Sequence, residues 1–454
     1  MLGRKAVVEL VKDQMFPAWH DERDRLDRID RWYRWKQDDI KLPRRATPEL
    51  RALAEMSKIP WLGLVVTSVS QCMYVDGYRS PTLDSARPDG EVSPAWKTWH
   101  ANGFDQRQIA IHRAALAYGY SYVRVLPGED HEGKRSVMRG VSPRKCYALY
   151  QDPADDDWPM YVIQVAKADK GGYLISLFDE EDVHYVSMDS STSKPEWISA
   201  ETHGAGVTPF IRYSNMLDLE GRSTGEVEPF IPAAARVNKT SFDRLVTQHF
   251  SSWKVRTVSG MAQPDTEEEA NRKKLQLRQE DLLVAEDPDT KFGTLDESPL
   301  TGFIDSWRSD VEALAAVTQT PTHTLTGQLV NLSAEALAAA RAGLTQKVAE
   351  RQKSFGRSHG QTLRLSALLE GHEDEARDVL ARVTWQDMEV RSISQAVDAW
   401  GKAATMLQVP VQALWQRLPG VEKSDVDEWE RMAEHADPVA RMTKTLADQA
   451  SPAG

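Results

Sequence analysis

The segment of this chain that comes nearest to a catalytic motif is GEDHEGKR at residues 128–135. Its glycines and lysine have the spacing of a phosphate-binding loop, and the sequence before it predicts a strand. However, Arg135 stands where such a loop carries a hydroxyl group for magnesium, and the following SVMRGV is typical of a second strand rather than a helix. Three acidic side chains in the segment would also repel phosphate. We therefore predict a hairpin turn here, with nucleotide binding as the alternative.

Residue types that bind metals or act as nucleophiles are present, but their spacing predicts no site. The 11 histidines form neither an HExxH nor a His-x-Cys pattern, and Cys72 and Cys146 form no CxxC pair. No G-x-S-x-G motif presents a serine nucleophile. The clusters at 155–157 and 372–374 are more typical of solvated turns, because an oxygen cage for a cation needs several converging ligands. We expect no catalytic residue, no metal and no cofactor.

Composition limits the classes of protein to which this chain can belong. Its 454 residues suggest two or three cores, and the 41% hydrophobic and 27% charged fractions are ordinary for a globular protein. No stretch approaches the roughly 20 apolar residues that span a bilayer, so we expect no membrane insertion. Two distant cysteines suggest reduced thiols in a cytosolic environment. The net charge of −12 argues against tight binding of nucleic acid over the whole surface, although a negatively charged wall would let DNA slide past.

The first half of the chain combines helices with a block of short strands. Residues 4–35 and 105–118 carry apolar side chains at helical spacing. Residues 120–213 contain β-branched and aromatic runs separated by turn signals such as Pro127-Gly128. This block predicts a mainly antiparallel β module.

Two amphipathic helices are predicted on either side of an acidic insertion. The first begins near Pro232, and its apolar residues recur at three- and four-residue intervals. The second shows the same rhythm over 304–318 and stops before a proline. Within the insertion, Glu267, Glu268 and Glu269 suit either a solvated helix start or an exposed docking surface for another protein.

A polar segment and a long helix follow. Proline and glycine punctuate residues 319–333, and Ser333 is a favourable N-cap for a helical pattern that runs to about residue 370. The buried face of this helix is predicted from the apolar residues Leu337, Leu344, Val348 and Phe355. A mobile loop between two long helices suits contact with something that moves past it better than it suits binding of a small molecule. Further helices are predicted within 392–418 and after Ser424.

Five stretches, taken in order, resemble the portal (head–tail connector) proteins of tailed double-stranded DNA bacteriophages, especially long-tailed phages of actinobacteria. These stretches are residues 65–79 (VVTSVSQCMYVDGYR), 99–125, 236–260, 321–355 and 383–410. They cover most of the chain. No single stretch is diagnostic, but their colinear order is specific.

The resemblance implies an α+β fold of the portal type, mainly helical, with an antiparallel β module in a wing, two stem helices, a small α/β clip and a helical crown. The implied domains are a wing at 1–227 with the β module at 120–213, a stem helix at 228–250, a clip at 251–299, a second stem helix at 300–318, a tunnel loop at 319–333, a long wing-to-crown helix with a return strand at 334–390, and a crown at 391–454.

The resemblance also implies the residues that would meet DNA and partner proteins. Loop residues that would touch DNA in the channel are Thr322, His323, Thr324, Gln328 and Asn331. Positive channel contacts would come from Arg341, Lys347 and Arg351, unless these pair with acids such as Glu350 or those of a neighbouring subunit. In the clip, Glu267, Glu268 and Glu269 would dock terminase or an adaptor.

The implied assembly is a homo-oligomeric ring, typically of twelve subunits, at one capsid vertex of the virion and assembled in the host cytoplasm. Double-stranded DNA would pass through it without sequence specificity during packaging and ejection. The implied protein partners are the terminase large subunit, the major capsid or scaffold protein and the head–tail adaptor. The chain would not be an enzyme, so terminase would supply the energy. The alternatives are a cytosolic nucleotide-binding enzyme that uses residues 128–135, and a minor capsid or scaffold protein without a channel.

Overall fold

A computed structural model describes residues 2–84, 92–131, 133–168, 171–189, 194–251, 256–259, 291–294, 300–328, 334–386, 393–415, 418, 421 and 423–436. The chain divides into two compact units. The first comprises Met1–Asp38, Pro60–Ala234 and Ala313–Gly454, and the second comprises Asp39–Ile59 and Ala235–Glu312.

Helices occur along the whole described chain. They are α1 (Arg4–Leu10), α2 (Phe16–Tyr33), α3 (Pro48–Met56), α4 (Trp61–Ser70), α5 (Pro94–Ala101), α6 (Phe104–Tyr118), α7 (Ile231–Ser251), α8 (Thr301–Val317), α9 (Thr322–Thr326), α10 (Ala334–Glu370), α11 (Glu373–Arg377), α12 (Ile393–Leu407), α13 (Gln412–Trp415) and α14 (Lys423–Ala436). A π-helix, Val11–Met15, joins α1 to α2, and 3₁₀ turns lie at Pro143–Lys145 and Glu228–Phe230. No helix in the described ranges is both long and apolar enough to cross a membrane.

The strands are concentrated where the sequence predicts the β module. They are β1 (Val75–Arg79), β2 (Tyr120–Leu126), β3 (Glu129–Asp130), β4 (Gly133–Lys134), β5 (Val137–Val141), β6 (Cys146–Leu149), β7 (Tyr161–Lys167), β8 (Tyr173–Phe178), β9 (Asp182–Met188), β10 (Pro195–Thr202), β11 (Phe210–Ser214), β12 (Met216–Leu217), β13 (Ser223–Thr224), β14 (Arg256–Ser259), β15 (Lys291–Thr294) and β16 (Arg382–Trp385).

Strand pairing is antiparallel, as the sequence predicts for residues 120–213. One sheet has five strands in the order β10-β9-β8-β7-β6, and another has three in the order β11-β2-β5. In the larger sheet each strand pairs with its neighbour in sequence. β1 pairs with β16, which aligns Val75 with Trp385 and Arg79 with Arg382.

The five-stranded sheet packs apolar side chains on both faces. On one face it contacts a stripe from the N-terminal helices that consists of Val7, Val11, Met15 and Trp19. An α-helix has 3.6 residues per turn, so side chains spaced four residues apart drift around the helix axis. The wider π-turn brings the later side chains back onto the same face. Alternate strand residues, such as Val162 and Phe178, cluster instead with Phe210 of the smaller sheet.

Polar side chains along one face of the long helix α10 bond to neighbouring parts of the chain. We call this set the polar spine, and its members are Lys347, Arg351, His359, Thr362, Ser366 and Glu370. Its members bond to several other elements, and Glu370, for example, accepts from Thr98 of α5 at 2.8 Å. The predicted apolar residues Leu344, Val348 and Phe355 are also buried. The side chain of Leu337 lies outside the described set.

In the second unit, parts of α7 and α8 run side by side in opposite directions. Asp310 accepts from Arg236 Nε at 2.9 Å and from Thr240 Oγ1 at 2.6 Å. Further along α7, the guanidinium of Arg244 lies 5.9 Å from the ring centroid of Trp307. Polar contacts therefore contribute to the pairing of these two amphipathic helices.

Cys72 and Cys146 do not form a disulfide. Cys146 is fully buried against the three-stranded sheet, and burial raises the pKa of its thiol. It packs as a small apolar group in its protonated form.

Candidate functional site

The C-terminal end of α8 is closed by a specific set of backbone hydrogen bonds. Gln319 has a left-handed backbone with φ of 51°. Its N–H donates to the Ala316 carbonyl at 3.2 Å, and the N–H of Thr320 donates to the Ala315 carbonyl at 3.0 Å. These two bonds are the Schellman arrangement, which satisfies the last carbonyls of a helix. Because Thr318 and Thr320 are buried, the chain leaves α8 in a defined direction.

The segment after this stop contains the short helix α9. Pro321 precedes its first residue, and Gly327, with φ of 69°, follows its last. Proline before a helix and glycine after it is the usual asymmetry of helix ends. Leu325 is buried and anchors the turn. This part of the predicted loop is therefore helical.

The residues predicted to touch DNA occupy both exposed and half-buried positions here. Thr322 and Gln328 are exposed, and His323 and Thr324 are half-buried. Asn331 lies outside the described residues. The described side chains offer mainly uncharged hydrogen-bonding groups, so this surface can form weak contacts with phosphate oxygens.

The carbonyl at the end of α8 is bound by a buried lysine from α10. Lys347 is 4% exposed, and its Nζ donates to the Thr318 carbonyl oxygen at 2.8 Å. The same ammonium lies 2.6 Å from Oε2 of Glu226, which is 1% exposed. Burial lowers the pKa of Lys347, and the neighbouring carboxylate opposes that effect. The ammonium therefore bridges a helix end and a buried carboxylate.

Arg351 completes this group, one turn further along α10. It is 5% exposed, and its Nη2 contacts Oε1 of Glu226 at 3.1 Å. Its Nη1 also lies 3.3 Å from Glu350, whose side chain is exposed. We call Glu226, Lys347 and Arg351 the anchor cluster. The prediction that Lys347 and Arg351 present positive charge to a channel is therefore wrong in this structure, because both are buried and paired with an acid, and the pairing alternative holds.

Glu226 is itself held in place by two other elements. Its N–H donates to the Leu116 carbonyl near the end of α6 at 2.7 Å. Nδ2 of Asn215 donates to Oε1 of Glu226 at 3.2 Å and to the Thr224 carbonyl at 2.8 Å. The anchor cluster thus rests on α6 and on the residues after β11.

The remaining predicted site residues do not join this group. Arg341 is half-buried on the preceding part of α10. Glu267, Glu268 and Glu269 lie outside the described residues.

The motif-like segment at 128–135 is a hairpin, as predicted. β3 and β4 pair with Glu129 opposite Lys134, and the N–H of Arg135 donates to the Gly128 carbonyl at 2.9 Å. A Cβ on Gly128 would lie 2.8 Å from the oxygen of Arg135, so glycine is needed for this close approach. The strand β5 follows, so no helix N-terminus is available for a phosphate.

Among the described residues, one group brings metal-ligand types within 4.8 Å of one another: Asp179, Asp182 and His184. One oxygen of Asp179 accepts from the N–H groups of Glu181 and Asp182 at 2.9 and 2.7 Å, and the other lies 3.3 Å from His184 Nε2. Asp182 accepts from the hydroxyl of Thr202 at 2.7 Å. The Asp179 bonds close the β8–β9 hairpin, and the Thr202 bond joins β9 to β10, so we assign the group to the sheet.

A buried chain of hydrogen bonds joins α6 to α10 through two histidines. Nδ1 of His112 lies 3.3 Å from the Met73 carbonyl oxygen, and its Nε2 lies 2.8 Å from Nε2 of His359. A carbonyl only accepts, so His112 donates through Nδ1 and accepts from His359. The Nδ1 of His359 then accepts from the Tyr213 hydroxyl at 3.0 Å. Both rings are neutral in this arrangement.

The surroundings of the pair favour these neutral rings. Both histidines are fully buried, beside the aromatic rings of Phe355 and Trp385. Burial lowers the pKa of His112 to about 4, although the Met73 carbonyl acts in the opposite direction. Burial is the larger cause that lowers the pKa of His359 well below its usual value, and repulsion from a protonated His112 lowers it further. The pair is therefore a neutral element of the core.

Comparison with known protein families finds a match over most of the chain. A family model described as phage portal protein, SPP1 Gp6-like, matches residues 13–439. This chain belongs to that family of phage portal proteins. The family is structural rather than catalytic, and phage portal proteins are virion components at the capsid vertex.

Two relatives are portal proteins of mycobacterial phages. The portal protein of Mycobacterium phage D29 is 23% identical over 406 residues, which cover 86% of this chain and 81% of that protein. The portal protein of Mycobacterium phage L5 is 23% identical over 413 residues, with the same coverage. The resemblance to portal proteins of actinobacterial phages is confirmed, and the nucleotide-binding alternative is not favoured.

Two features of this portal protein, the anchor cluster and the buried histidine pair, were not predicted from its sequence. Glu226 and Thr318 contact Lys347 from positions far away along the chain, and no local pattern relates them. One signal was available on α10, because positions 347 and 351 fall on the same helical face as the apolar residues 344, 348 and 355. The histidine pair, 247 residues apart, had no signal.

Proposed function

We propose that this portal protein forms a homo-oligomeric ring, with twelve as the expected number of subunits, at one vertex of the capsid. Double-stranded DNA passes through its central opening, without sequence specificity, during packaging and ejection, and is retained between these events. The observation that carries the proposal is the family match over residues 13–439. Assembly takes place in the host cytoplasm.

The charge of the chain supports a channel that guides DNA. A net charge of −12 on each copy repels the phosphate backbone, which keeps the duplex centred and weakly held. The polar segment that follows α8 offers hydrogen bonds rather than clustered cations. Of the described residues here, Thr322, His323, Thr324 and Gln328 form brief contacts with phosphate oxygens, and Asn331 joins them. Tight binding would stall transport.

The proposed division of labour follows the order of elements along the chain. The regions are the wing at 1–227, the stem helices at 228–250 and 300–318, the clip at 251–299, the tunnel loop at 319–333, the long helix and return strand at 334–390, and the crown at 391–454. The terminase large subunit and the head–tail adaptor dock on the clip, where Glu267, Glu268 and Glu269 offer negative charge. The wing contacts the major capsid or scaffold protein. Terminase supplies the energy for packaging.

The assembly itself is tested by measuring the mass of the purified protein and imaging it by electron microscopy. We expect closed rings of about a dozen copies with a central opening, because head-to-tail interfaces close into rings. Compact dimers or tetramers under all assembly conditions would refute the channel.

The contact with DNA is tested by replacing Thr322, His323, Thr324 and Gln328 together with alanine. We expect rings of normal mass and impaired packaging or retention of DNA. The control is Gln14→Ala, an exposed polar residue on the N-terminal helices. Normal packaging by the quadruple variant would remove these residues from the channel surface.

Docking on the clip is tested by reversing the charge of Glu267, Glu268 and Glu269 to lysine. We expect weaker binding of terminase to assembled rings, with ring mass unchanged. Unchanged affinity would place the terminase contact elsewhere.

A further inference from the structure

The anchor cluster contains more positive charge than its carboxylate needs. Glu226 carries one negative charge, and Lys347 and Arg351 together carry two positive charges. Arg351 alone would neutralise Glu226, and it also reaches the exposed Glu350. Burying a second cation costs free energy unless that cation gains a further partner.

The further partner of Lys347 is the end of α8. Its ammonium donates to the Thr318 carbonyl at 2.8 Å, at the C-cap position of the Schellman stop. The C-terminal end of a helix carries partial negative charge, so a cation there is stabilised. Thr318 and Thr320 are buried around the same point, and their hydroxyls are 3.1 Å apart. The lysine therefore joins the last carbonyl of α8 to α10 and to Glu226.

We propose that Lys347 is a positioning residue that sets where and in which direction the segment beginning at Gln319 leaves α8. Its contact with Thr318 fixes the origin of this segment relative to α10, and Glu226 fixes the ammonium in turn. The role in DNA transport rests on the proposed function, in which Thr322–Gln328 faces the duplex. The positional role itself does not depend on DNA.

The test is Lys347→Met, which removes the charge and the donor and keeps an unbranched side chain. Glu226 keeps Arg351 as its partner, so the cluster becomes neutral and the variant should fold. The matched control is Lys353→Met, an exposed lysine on the same helix. Hydrogen exchange of assembled rings without DNA is measured for peptides that cover 318–328, with 173–188 of the five-stranded sheet as the reference.

We expect Lys347→Met to accelerate exchange in 318–328 by about tenfold, because a charge-assisted hydrogen bond at that site is lost. Exchange in the reference peptide should not change, and Lys353→Met should match the wild type in both. A third variant, Lys347→Gln, keeps an N–H donor and should show a smaller acceleration. Unchanged exchange in 318–328, or equal acceleration throughout the chain, would overturn the proposal.

Two results separate this inference from the proposed function. Faster exchange in 318–328 with normal DNA packaging would support the positional role and refute the contact of this segment with DNA. Faster exchange with impaired packaging would support both. If Lys347→Met does not assemble, the comparison of Lys347→Gln with the wild type decides the question by the same criterion.

Discussion

Mild acidification should destabilise this portal protein through its two buried histidines. His112 and His359 share one hydrogen bond between their Nε2 atoms, and the Met73 carbonyl, which can only accept, fixes the direction of that bond. Protonation of His112 would place its new N–H group against the N–H that His359 donates, and protonation of His359 would place a charge in a fully buried site. The folded chain therefore resists protonation of both rings.

The sign and size of the effect follow from the pKa of His112, which falls from its ordinary value of 6.5 to about 4 on folding. Above about pH 6.5 the histidine is neutral in both states, and its contribution to stability is fully present. As the pH falls below that value, the unfolded chain binds a proton that the folded chain does not, so stability is lost until the pH passes the folded pKa. A pH of about 5 lies about 1.5 units below the unfolded pKa, and each unit lowers the free energy of unfolding by about 1.4 kcal/mol. The total loss at that pH is therefore about 2 kcal/mol. His359 adds a second loss of the same sign.

The assay is urea unfolding followed by tryptophan fluorescence at several values between about pH 7.5 and pH 5. Carboxylates contribute to the same curve, so the decisive quantity is the difference in slope between the wild type and His112→Phe, which cannot titrate. The control is His20→Gln, whose side chain is 54% exposed and should leave the slope unchanged. If His112→Phe keeps the wild-type slope, the histidine pair is not the origin of the acid sensitivity and the reasoning fails.

Three further predictions concern stability at neutral pH, each measured by urea or thermal unfolding. Phe355→Ala should lower the free energy of unfolding by about 3–5 kcal/mol because this side chain is fully buried, whereas Leu368→Ala, at an exposed position on the same helix, should lower it by less than about 1 kcal/mol. Equal losses would contradict the packing. Glu226→Ala should cost about 3–5 kcal/mol, because it leaves two buried cations without their acid, and the exposed Glu220→Ala should be nearly neutral; a small loss at position 226 would argue against the anchor cluster. Gln319→Gly should raise stability by up to about 1 kcal/mol, since glycine tolerates the left-handed backbone, and a loss would show that the glutamine side chain matters more than the strain.

Elements with a strong period were predictable from the sequence. The long helix expected from 334 to about 370 spans Ala334–Glu370. Ten of the sixteen strands in the described residues lie between Tyr120 and Ser214, where strands were expected over 120–213. Both patterns depend on neighbouring residues, so one sequence suffices to detect them. The short helix Thr322–Thr326 was missed because its flanking proline and glycine also mark a loop.

Contacts between distant residues were not predictable in the same way. The family resemblance implied that Lys347 and Arg351 would face a channel unless they paired with acids, and the structure pairs them with Glu226, which lies more than a hundred residues earlier. Periodicity indicates which face of a helix is buried, but it does not indicate which polar group of another element packs against that face. The same limit applies to His112 and His359, whose partnership depends on the packing of α6 against α10.

The polar spine of α10 has a mechanical consequence. A seam of hydrocarbon side chains tolerates small sliding, because one methyl group can replace another at little cost. Hydrogen-bond donors and acceptors along α10 match their partners in one register only. A shift of the helix by one residue would therefore leave several of them without partners at once. A load along the axis of this rod would therefore meet stiff resistance, up to a threshold at which the bonds fail together.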